Sequence, residues 1–349
     1  KALKVMFDKH GNRRSKFSNR LKFLWKKLQR EEFVSLFLEE YNKISSDKNL
    51  DLKIVDLDNK PKIDASVKVD APKDDKFDIW KERYCLAQKQ EGLYCIKIPL
   101  QLGDLVSNDG LSLTKLVELF GENTIRCDRA QNIRLRNIPE AYLGNIYNCV
   151  SSFERSLVEH ASFIGNMINC TGAQTCKLGI CLPRGLSVAI RDKLVSSNLD
   201  LDRLADFRLN MSGCPNTCGL HHIADLGFFG KVARKEGQMY PAYYVLAGAR
   251  VAAGETKYAE KLNEIASHHI PNFVHDFLQA YLINAEEYKN YQDYLEDEGK
   301  DVIKSLCEKY SNVPLFSEDE SFYIDFGATR KLSLDEMGSA ECSAGMFDM

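Results

Sequence analysis

The sequence lacks any long apolar run, and no uninterrupted stretch approaches the roughly 18–20 residues that a membrane-spanning helix needs. Its first residues, KALKVMFDKHGNRRSKF, contain no apolar core of the kind found in signal peptides. It also lacks an excess of charge of one sign, because 47 Lys and Arg stand against 50 Asp and Glu. These absences argue against a membrane protein, an exported protein and a nucleic-acid-binding protein.

Cysteine, in contrast, is plentiful, with 11 residues in a chain of 349. An odd number of cysteines in a long chain without an export signal does not fit a secreted disulfide framework. We therefore predict a reducing, cytoplasmic environment in which some of the cysteines bind metal.

Composition and hydrophobic pattern divide the chain into five predicted segments. Residues 1–30 hold eleven Lys or Arg and one acid at a spacing that predicts a basic amphipathic helix. Within the largest segment the pattern predicts helices at 182–194, 257–268 and 272–282, separated by short strands. The five segments are a basic helical segment at 1–46, a linker at 47–76, a small α+β unit at 77–140, a larger α/β domain at 141–285 and an acidic C-terminal extension at 286–349.

Four cysteines form two closely spaced pairs. Five residues lie between Cys170 and Cys176, three lie between Cys214 and Cys218, and 37 residues separate the two pairs. Glycines accompany both pairs and allow backbone N–H groups to approach a bound group. Because thiolates are soft, anionic donors to iron, this pattern predicts a [4Fe–4S] cluster held by the four sulfurs, which should lie within about 6–7 Å of one another.

Two alternatives remain open from the residues alone. The four cysteines could be unligated core residues, or they could hold a structural zinc ion, although zinc sites prefer C-x2-C or C-x4-C pairs. His221 and His222 follow the second pair, and we predict a packing or supporting role for them. The other seven cysteines are predicted to be small core residues, apart from Cys342 in a glycine- and serine-rich tail.

Four motifs, taken in order, resemble those of the sirohaem-dependent nitrite and sulfite reductases. The resemblance covers roughly residues 77–285 and corresponds to the C-terminal, cluster-binding half of that family. The four motifs are DRAQNIRLRNIP at 128–139, CTGAQTCKLGI at 170–180, SGCPNTCGLHHIADLGFFG at 212–230 and YYVLAG at 243–248.

The resemblance implies a ferredoxin-like α+β unit packed on a larger α/β domain, with [4Fe–4S] and sirohaem as cofactors. It implies that Cys218 both binds the cluster and bridges it to the sirohaem iron. It places Gln131 and Asn132 beside the macrocycle, facing the cysteine loops, and Asn216 beside the cluster. Four arginines are candidate partners for the sirohaem carboxylates, because guanidinium binds carboxylate in a bidentate manner; they are Arg126, Arg129, Arg134 and Arg136.

The activity implied is the six-electron reduction of sulfite to sulfide or of nitrite to ammonia, with electrons from ferredoxin or a flavoprotein. Members of the family contain two related halves, so we expect the missing first half or another subunit to complete the anion site. The basic segment at 1–46 is either a docking face for ferredoxin or a solvated surface. Two functions of other classes remain: a non-catalytic iron–sulfur electron carrier or sensor without sirohaem, and a zinc-stabilised structural domain.

Overall fold

The computed structural model describes residues 1–12, 21–52, 63, 67–121 and 123–335. The described residues up to 52 form one compact unit, and those from 63 to 335 form another. In these ranges, no helix combines the length and the apolar character that crossing a membrane requires.

The first unit contains two helices, α1 (Ala2–His10) and α2 (Leu21–Ile44). Met6 of α1 packs with Leu24 and Phe33 of α2 in a small core. The single amphipathic helix predicted here is therefore wrong, since pairing two helices buries these apolar side chains better than one helix can. Residues 13–20 of the predicted helix lie outside the described residues.

The small α+β unit has an antiparallel sheet with the strand order β1-β2-β4-β3. The side chains of Trp80, Ile96 and Leu135 are almost fully buried and form the core between the sheet and its helices. The elements of this unit are α3 (Phe77–Tyr84), β1 (Cys85–Ala87), β2 (Leu93–Ile98), α4 (Ser107–Glu118), β3 (Ile125–Cys127), β4 (Ile133–Pro139) and α5 (Leu143–Val150).

The larger domain has a five-stranded mixed sheet with the order β5-β6-β7-β8-β9. Strands β5, β6 and β7 are parallel, whereas β7, β8 and β9 are antiparallel. Helices α6 and α7 contribute to the core beside this sheet. The elements are β5 (Ile168–Asn169), α6 (Pro183–Val195), β6 (Leu209–Ser212), β7 (Leu226–Lys235), β8 (Gln238–Ala247), β9 (Glu260–Ala266), α7 (Ile270–Asn284), α8 (Tyr291–Tyr294) and α9 (Lys300–Lys309).

The helix predicted at 257–268 is wrong, because this stretch forms strand β9. Its Glu, Lys and Leu residues favour a helix locally. The strand pairs with β8 from Ala242 opposite Ala266 to Ala247 opposite Glu260, and it buries Ile265. The ladder of hydrogen bonds and this burial override the local preference.

The segment predicted to be an extension from residue 286 is part of the larger domain as far as the described residues reach. Tyr294, Leu295 and Ile303 are completely buried in the same core as α6 and α7. Further along, Asp325 is buried and accepts a hydrogen bond from the Leu182 N–H (2.6 Å) at the start of α6. It also accepts one from the Ser267 hydroxyl (2.7 Å). Residues 336–349, including Cys342, lie outside the described residues.

Gly185, the third residue of α6, should be required for the packing of this C-terminal segment. A Cβ atom at this position would collide with the backbone carbonyl of Phe326. We expect Gly185→Ala to lower the free energy of unfolding by about 1–3 kcal/mol, because the segment must shift. Thermal unfolding of the purified chain measures the effect.

The matched control is Gly110→Ala in helix α4, where the nearest atom to a new Cβ is Leu105 Cδ2 at 3.4 Å. Removing a helical glycine without a clash should raise stability by about 0.5–1 kcal/mol. Equal melting temperatures for the two variants would contradict the proposed contact.

Candidate iron–sulfur site

The two cysteine pairs follow neighbouring parallel strands. Cys170 comes directly after β5, and Cys214 comes two residues after β6. In the register of these strands Asn169 lies opposite Met211. Because parallel strands end at the same edge of a sheet, both cysteine loops begin side by side.

Hydrogen bonds join the two loops. The Gly213 N–H donates to the Cys170 Sγ (3.1 Å), and the Gly213 carbonyl accepts from the N–H groups of Ile180 (2.9 Å) and Cys181 (3.0 Å). A side chain at Gly213 would not fit, since its Cβ would lie 2.6 Å from the Cys181 carbonyl and 2.9 Å from the Gly172 Cα. The glycine therefore allows the two backbones to lie in contact.

The thiol of Cys214 lies near the other three thiols. Burial raises the pKa of Cys214 to about 11, and the charges of Cys170, Cys218 and Cys176 also act to raise it. The Asn216 N–H donates a hydrogen bond to this sulfur and opposes the shift. Cys176 and Cys218 are exposed, and Cys170 is partly buried. Two of the four sulfurs thus accept a backbone N–H, Cys170 from Gly213 and Cys214 from Asn216, and such hydrogen bonds oppose the effect of burial on a thiolate.

Among the described residues, no three His, Cys, Asp or Glu side chains lie close enough together to hold a single metal ion. A cubane is wider than such a site, because its ligand sulfurs stand about 6–7 Å apart. The assignment of the four cysteines as cluster ligands stays a prediction.

The second cysteine loop folds back over the outer face of β6. Asn210 donates from Nδ2 to the Leu220 carbonyl (3.1 Å). The Ser212 hydroxyl accepts from the Gly219 N–H (2.9 Å) and bonds the His221 Nδ1 (2.8 Å). His221 is fully buried, and burial lowers its pKa to about 3, so the ring is neutral at pH 7. The packing role predicted for His221 is confirmed.

Sequence reasoning did not identify Ser212 and Asn210 as supports for this loop. The available signal was the alternation in LNMS at 209–212, where polar residues occupy every second position of a fully buried strand. Leu209 and Met211 belong to the core with the helices, which leaves the polar side chains for the opposite face.

The second loop also contains left-handed backbone at two residues other than glycine. Thr217 has φ 61° and Leu220 has φ 59°. This conformation is uncommon for side-chain-bearing residues, above all for a β-branched one. Both residues lie next to the segment Cys218–Gly219, so the chain reverses sharply at the exposed cysteine.

Gln131 contacts the start of the first cysteine loop, whereas the contacts of Asn132 lie outside both cysteine loops. Gln131 hydrogen-bonds the backbone of Asn169, the residue before Cys170. Asn132 is buried, accepts from the Leu100 N–H (2.9 Å) and donates to the Gly165 carbonyl (2.7 Å). Both amides thus join the small unit to the larger domain, and their predicted position beside a macrocycle remains a prediction.

The four predicted arginines are not equivalent. Arg129 and Arg134 line a cavity of about 300 Å³, together with Asn210 and Leu220, whereas Arg126 and Arg136 do not. Arg134 donates from Nε to Asp128 (2.9 Å). Arg126 donates to the carbonyl of its neighbour Ile125 (2.6 Å) and lies opposite Arg134 in the sheet, and Arg136 lies on β4.

Residues 160–315 match the family described as the nitrite and sulphite reductase 4Fe-4S domain. The resemblance to the nitrite and sulfite reductases that the motifs indicate is therefore confirmed for this part of the chain. Similarity to this family implies a [4Fe–4S] cluster and sirohaem as cofactors.

Two relatives and one solved structure are similar to the chain. A ferredoxin–nitrite reductase of Synechococcus elongatus is 28% identical over 57% of this chain and 39% of its own length. An assimilatory ferredoxin-dependent nitrite reductase of Haloferax mediterranei is 23% identical over 63% of this chain and 38% of its own length. The Mycobacterium tuberculosis NirA protein has a similar fold, with a TM-score of 0.64 at 20% identity, over 86% of this chain and 52% of its own. The predicted α+β and α/β fold class is confirmed, and the chain spans about two fifths of the length of these two relatives.

Ser212→Ala should destabilise the second cysteine loop. The substitution removes the partner of both the Gly219 N–H and the His221 ring in a fully buried place. We expect a loss of about 1–3 kcal/mol in the free energy of unfolding of the metal-free chain, because buried polar groups without partners are costly. Denaturant-induced unfolding measures it.

Ser187→Ala on helix α6 is the control, since Ser187 is also buried (3% exposed) and alanine favours a helix. Its effect should stay within about 0.5 kcal/mol. If both variants unfold at the same denaturant concentration, the hydroxyl of Ser212 does not hold the loop.

Proposed function

We propose that Cys170, Cys176, Cys214 and Cys218 hold a [4Fe–4S] cluster, and that the chain is the cluster-binding half of a sirohaem-dependent nitrite reductase. The observation that carries the proposal is the pairing of the two cysteine loops at the ends of β5 and β6. There the Gly213 N–H donates to the Cys170 sulfur, and the Gly213 carbonyl accepts from the N–H groups of Ile180 and Cys181. Similarity to ferredoxin-dependent nitrite reductases supports nitrite as the anion and ferredoxin as the electron donor.

Two buried amides beside the cysteines also fit a bound group. Asn169 is 2% exposed, and within the described residues neither polar atom of its side chain has a partner. The Oδ1 of Asn216 is likewise buried without a partner in that part of the chain. Buried polar atoms are normally satisfied, so amides that flank Cys170 and Cys214 support an occupant between the loops.

When bound, the cluster would pass on electrons from the external donor, and sirohaem would supply the iron for the six-electron reduction of nitrite to ammonia. The protein contributes thiolates and backbone N–H groups that stabilise their charge. Cys218 is exposed, which leaves its sulfur accessible to a second iron, in keeping with a bridging role.

Arg129 and Arg134 are the arginines placed best for the carboxylates of a tetrapyrrole, because both line the 300 Å³ cavity. A guanidinium group would bind such a carboxylate in a bidentate manner and orient it. The remaining walls of the anion site are proposed to come from a further part of the protein or from another subunit. Location in the cytoplasm stays a prediction.

The cluster assignment predicts that single Cys→Ser variants at the four positions fail to retain iron. After anaerobic reconstitution with iron and sulfide, the unmodified chain should hold about four iron atoms and absorb near 400 nm. Each of the four variants should hold far less, because serine is a poor ligand for a cluster of this kind. Metal analysis also gives the ratio of iron to zinc, which separates the cluster from a zinc site.

Cys181→Ser is the control, since Cys181 is fully buried and its thiol contacts the carbonyls of Lys231 (3.5 Å) and Ala242 (3.6 Å). A serine hydroxyl has the same two acceptors, so the cluster should be retained. In the complete enzyme, Cys218→Ser should abolish nitrite reduction and Cys181→Ser should not. Equal iron contents for the Cys218 and Cys181 variants would refute the ligand assignment.

Sirohaem binding separates the enzyme from an iron–sulfur carrier or sensor. A complete protein that holds the cluster but shows no sirohaem absorption would contradict the proposed enzyme while leaving the cluster site intact.

A further inference from the structure

Strand β5 is the edge strand of the five-stranded sheet and is only two residues long. Its inner side pairs with β6, where the Cys170 N–H donates to the Met211 carbonyl (3.2 Å). In a parallel ladder the N–H and C=O groups of the alternate residue, Asn169, point away from that neighbour. An edge strand therefore leaves these two groups in need of other partners.

Gln131 provides both partners. Its Nε2 donates to the Asn169 carbonyl (2.9 Å), and its Oε1 accepts from the Asn169 N–H (3.1 Å). A single side chain from the small unit thus takes the place of a neighbouring strand at the residue that precedes Cys170.

We propose that Gln131 is a positioning residue for the first cysteine loop, which it holds in the conformation that binds the cluster. The part of this inference that concerns cluster binding rests on the proposed function. The effect of Gln131 on the conformation of the loop does not require a cluster. Because the β5–β6 ladder is so short, it fixes the position of Cys170 weakly on its own.

The backbone turn that contains Gln131 is held in one conformation, which fixes the direction of this side chain. Gln131 has φ 63°, a left-handed conformation that is unfavourable for a residue with a side chain. Asp128 holds the turn, since its Oδ1 accepts from the N–H groups of Ala130 (2.9 Å) and Asn132 (3.0 Å). The side chain of Asn132 then fastens the same turn to Leu100 and Gly165. A strained conformation of this kind persists only where the surrounding contacts hold the residue in place. Here they hold Gln131 so that its side-chain amide reaches both the N–H and the C=O of one residue, Asn169.

Gln88 offers a matched control within the same small unit. Its amide makes two hydrogen bonds with Asn137, from Nε2 to the Asn137 Oδ1 (3.0 Å) and from the Asn137 N–H to Oε1 (2.6 Å), and a third from Nε2 to the Gln90 Oε1 (3.1 Å). Within the part of the chain that the structure describes, these bonds stay inside the small unit, so Gln88→Ala removes the same kind of bonds without touching the cysteine loop.

The test compares Gln131→Ala, Gln131→Glu and Gln88→Ala in the 349-residue chain. The first measurement is hydrogen–deuterium exchange of the metal-free chain. We expect the amides of residues 168–181 to exchange about tenfold faster in Gln131→Ala than in the unmodified chain, because two partly buried backbone groups lose their partners. Glutamate keeps the acceptor but not the donor and should have a smaller effect at the same residues. Gln88→Ala should leave this segment unchanged.

The second measurement is the rate at which a chelator removes iron from the reconstituted chains, followed by the absorbance near 400 nm. Loss should be about tenfold faster for Gln131→Ala than for Gln88→Ala, with Gln131→Glu between them. Equal exchange of residues 168–181 in all chains would overturn the inference, and so would equal loss of iron when the unmodified chain holds a cluster.

If the unmodified chain takes up no cluster, the proposed function fails, and hydrogen exchange alone decides the role of Gln131. If Gln131→Ala does not fold, Gln131→Glu decides both measurements, because it preserves the shape of the side chain. Unchanged exchange in the glutamate variant would then overturn the inference.

Discussion

The parallel pairing of β5 with β6 is the constraint on which the site depends. Two cysteine pairs that are 37 residues apart in the chain come together only because both strands end at the same edge of the sheet. Helix α6 carries the chain back between them, because two parallel strands need a crossover connection. A slip of this register by one residue would turn Cys170 away from Gly213 and break the contact between the loops.

The two faces of strand β6 contact different parts of the domain. Its Leu209 and Met211 belong to the core with the helices, while Asn210 and Ser212 bind the returning second loop. A strand that is buried on both faces is usually apolar throughout. Polar residues are tolerated here because the second loop supplies each of them with a hydrogen-bonding partner. The second loop therefore covers this face of the strand as a further layer of the domain.

The sequence was sufficient to locate the cysteine pairs, the family resemblance and most strands of both sheets, because these depend on short motifs and local periodicity. Strand β9 was missed since its residues favour a helix and only its pairing with β8 makes it a strand. The packing of Tyr294 and Ile303 was missed because the acidic residues around them suggest a solvated tail. The contact of Gln131 with Asn169 depends on how two sheets of the same compact unit pack together, which no local pattern encodes.

The hydrogen bond between Leu182 and Asp325 limits how early during synthesis the first cysteine loop can reach its final conformation. This buried carboxylate anchors Leu182, which follows directly on Cys181, yet it lies 143 residues further along the chain. At a synthesis rate of about 5–20 residues per second, it leaves the peptidyl transferase centre roughly 7–30 s after Leu182. During that interval the thiols of the loop exist without their final support. The first cysteine loop therefore reaches its final hydrogen bonding only after the chain has been synthesised as far as Asp325.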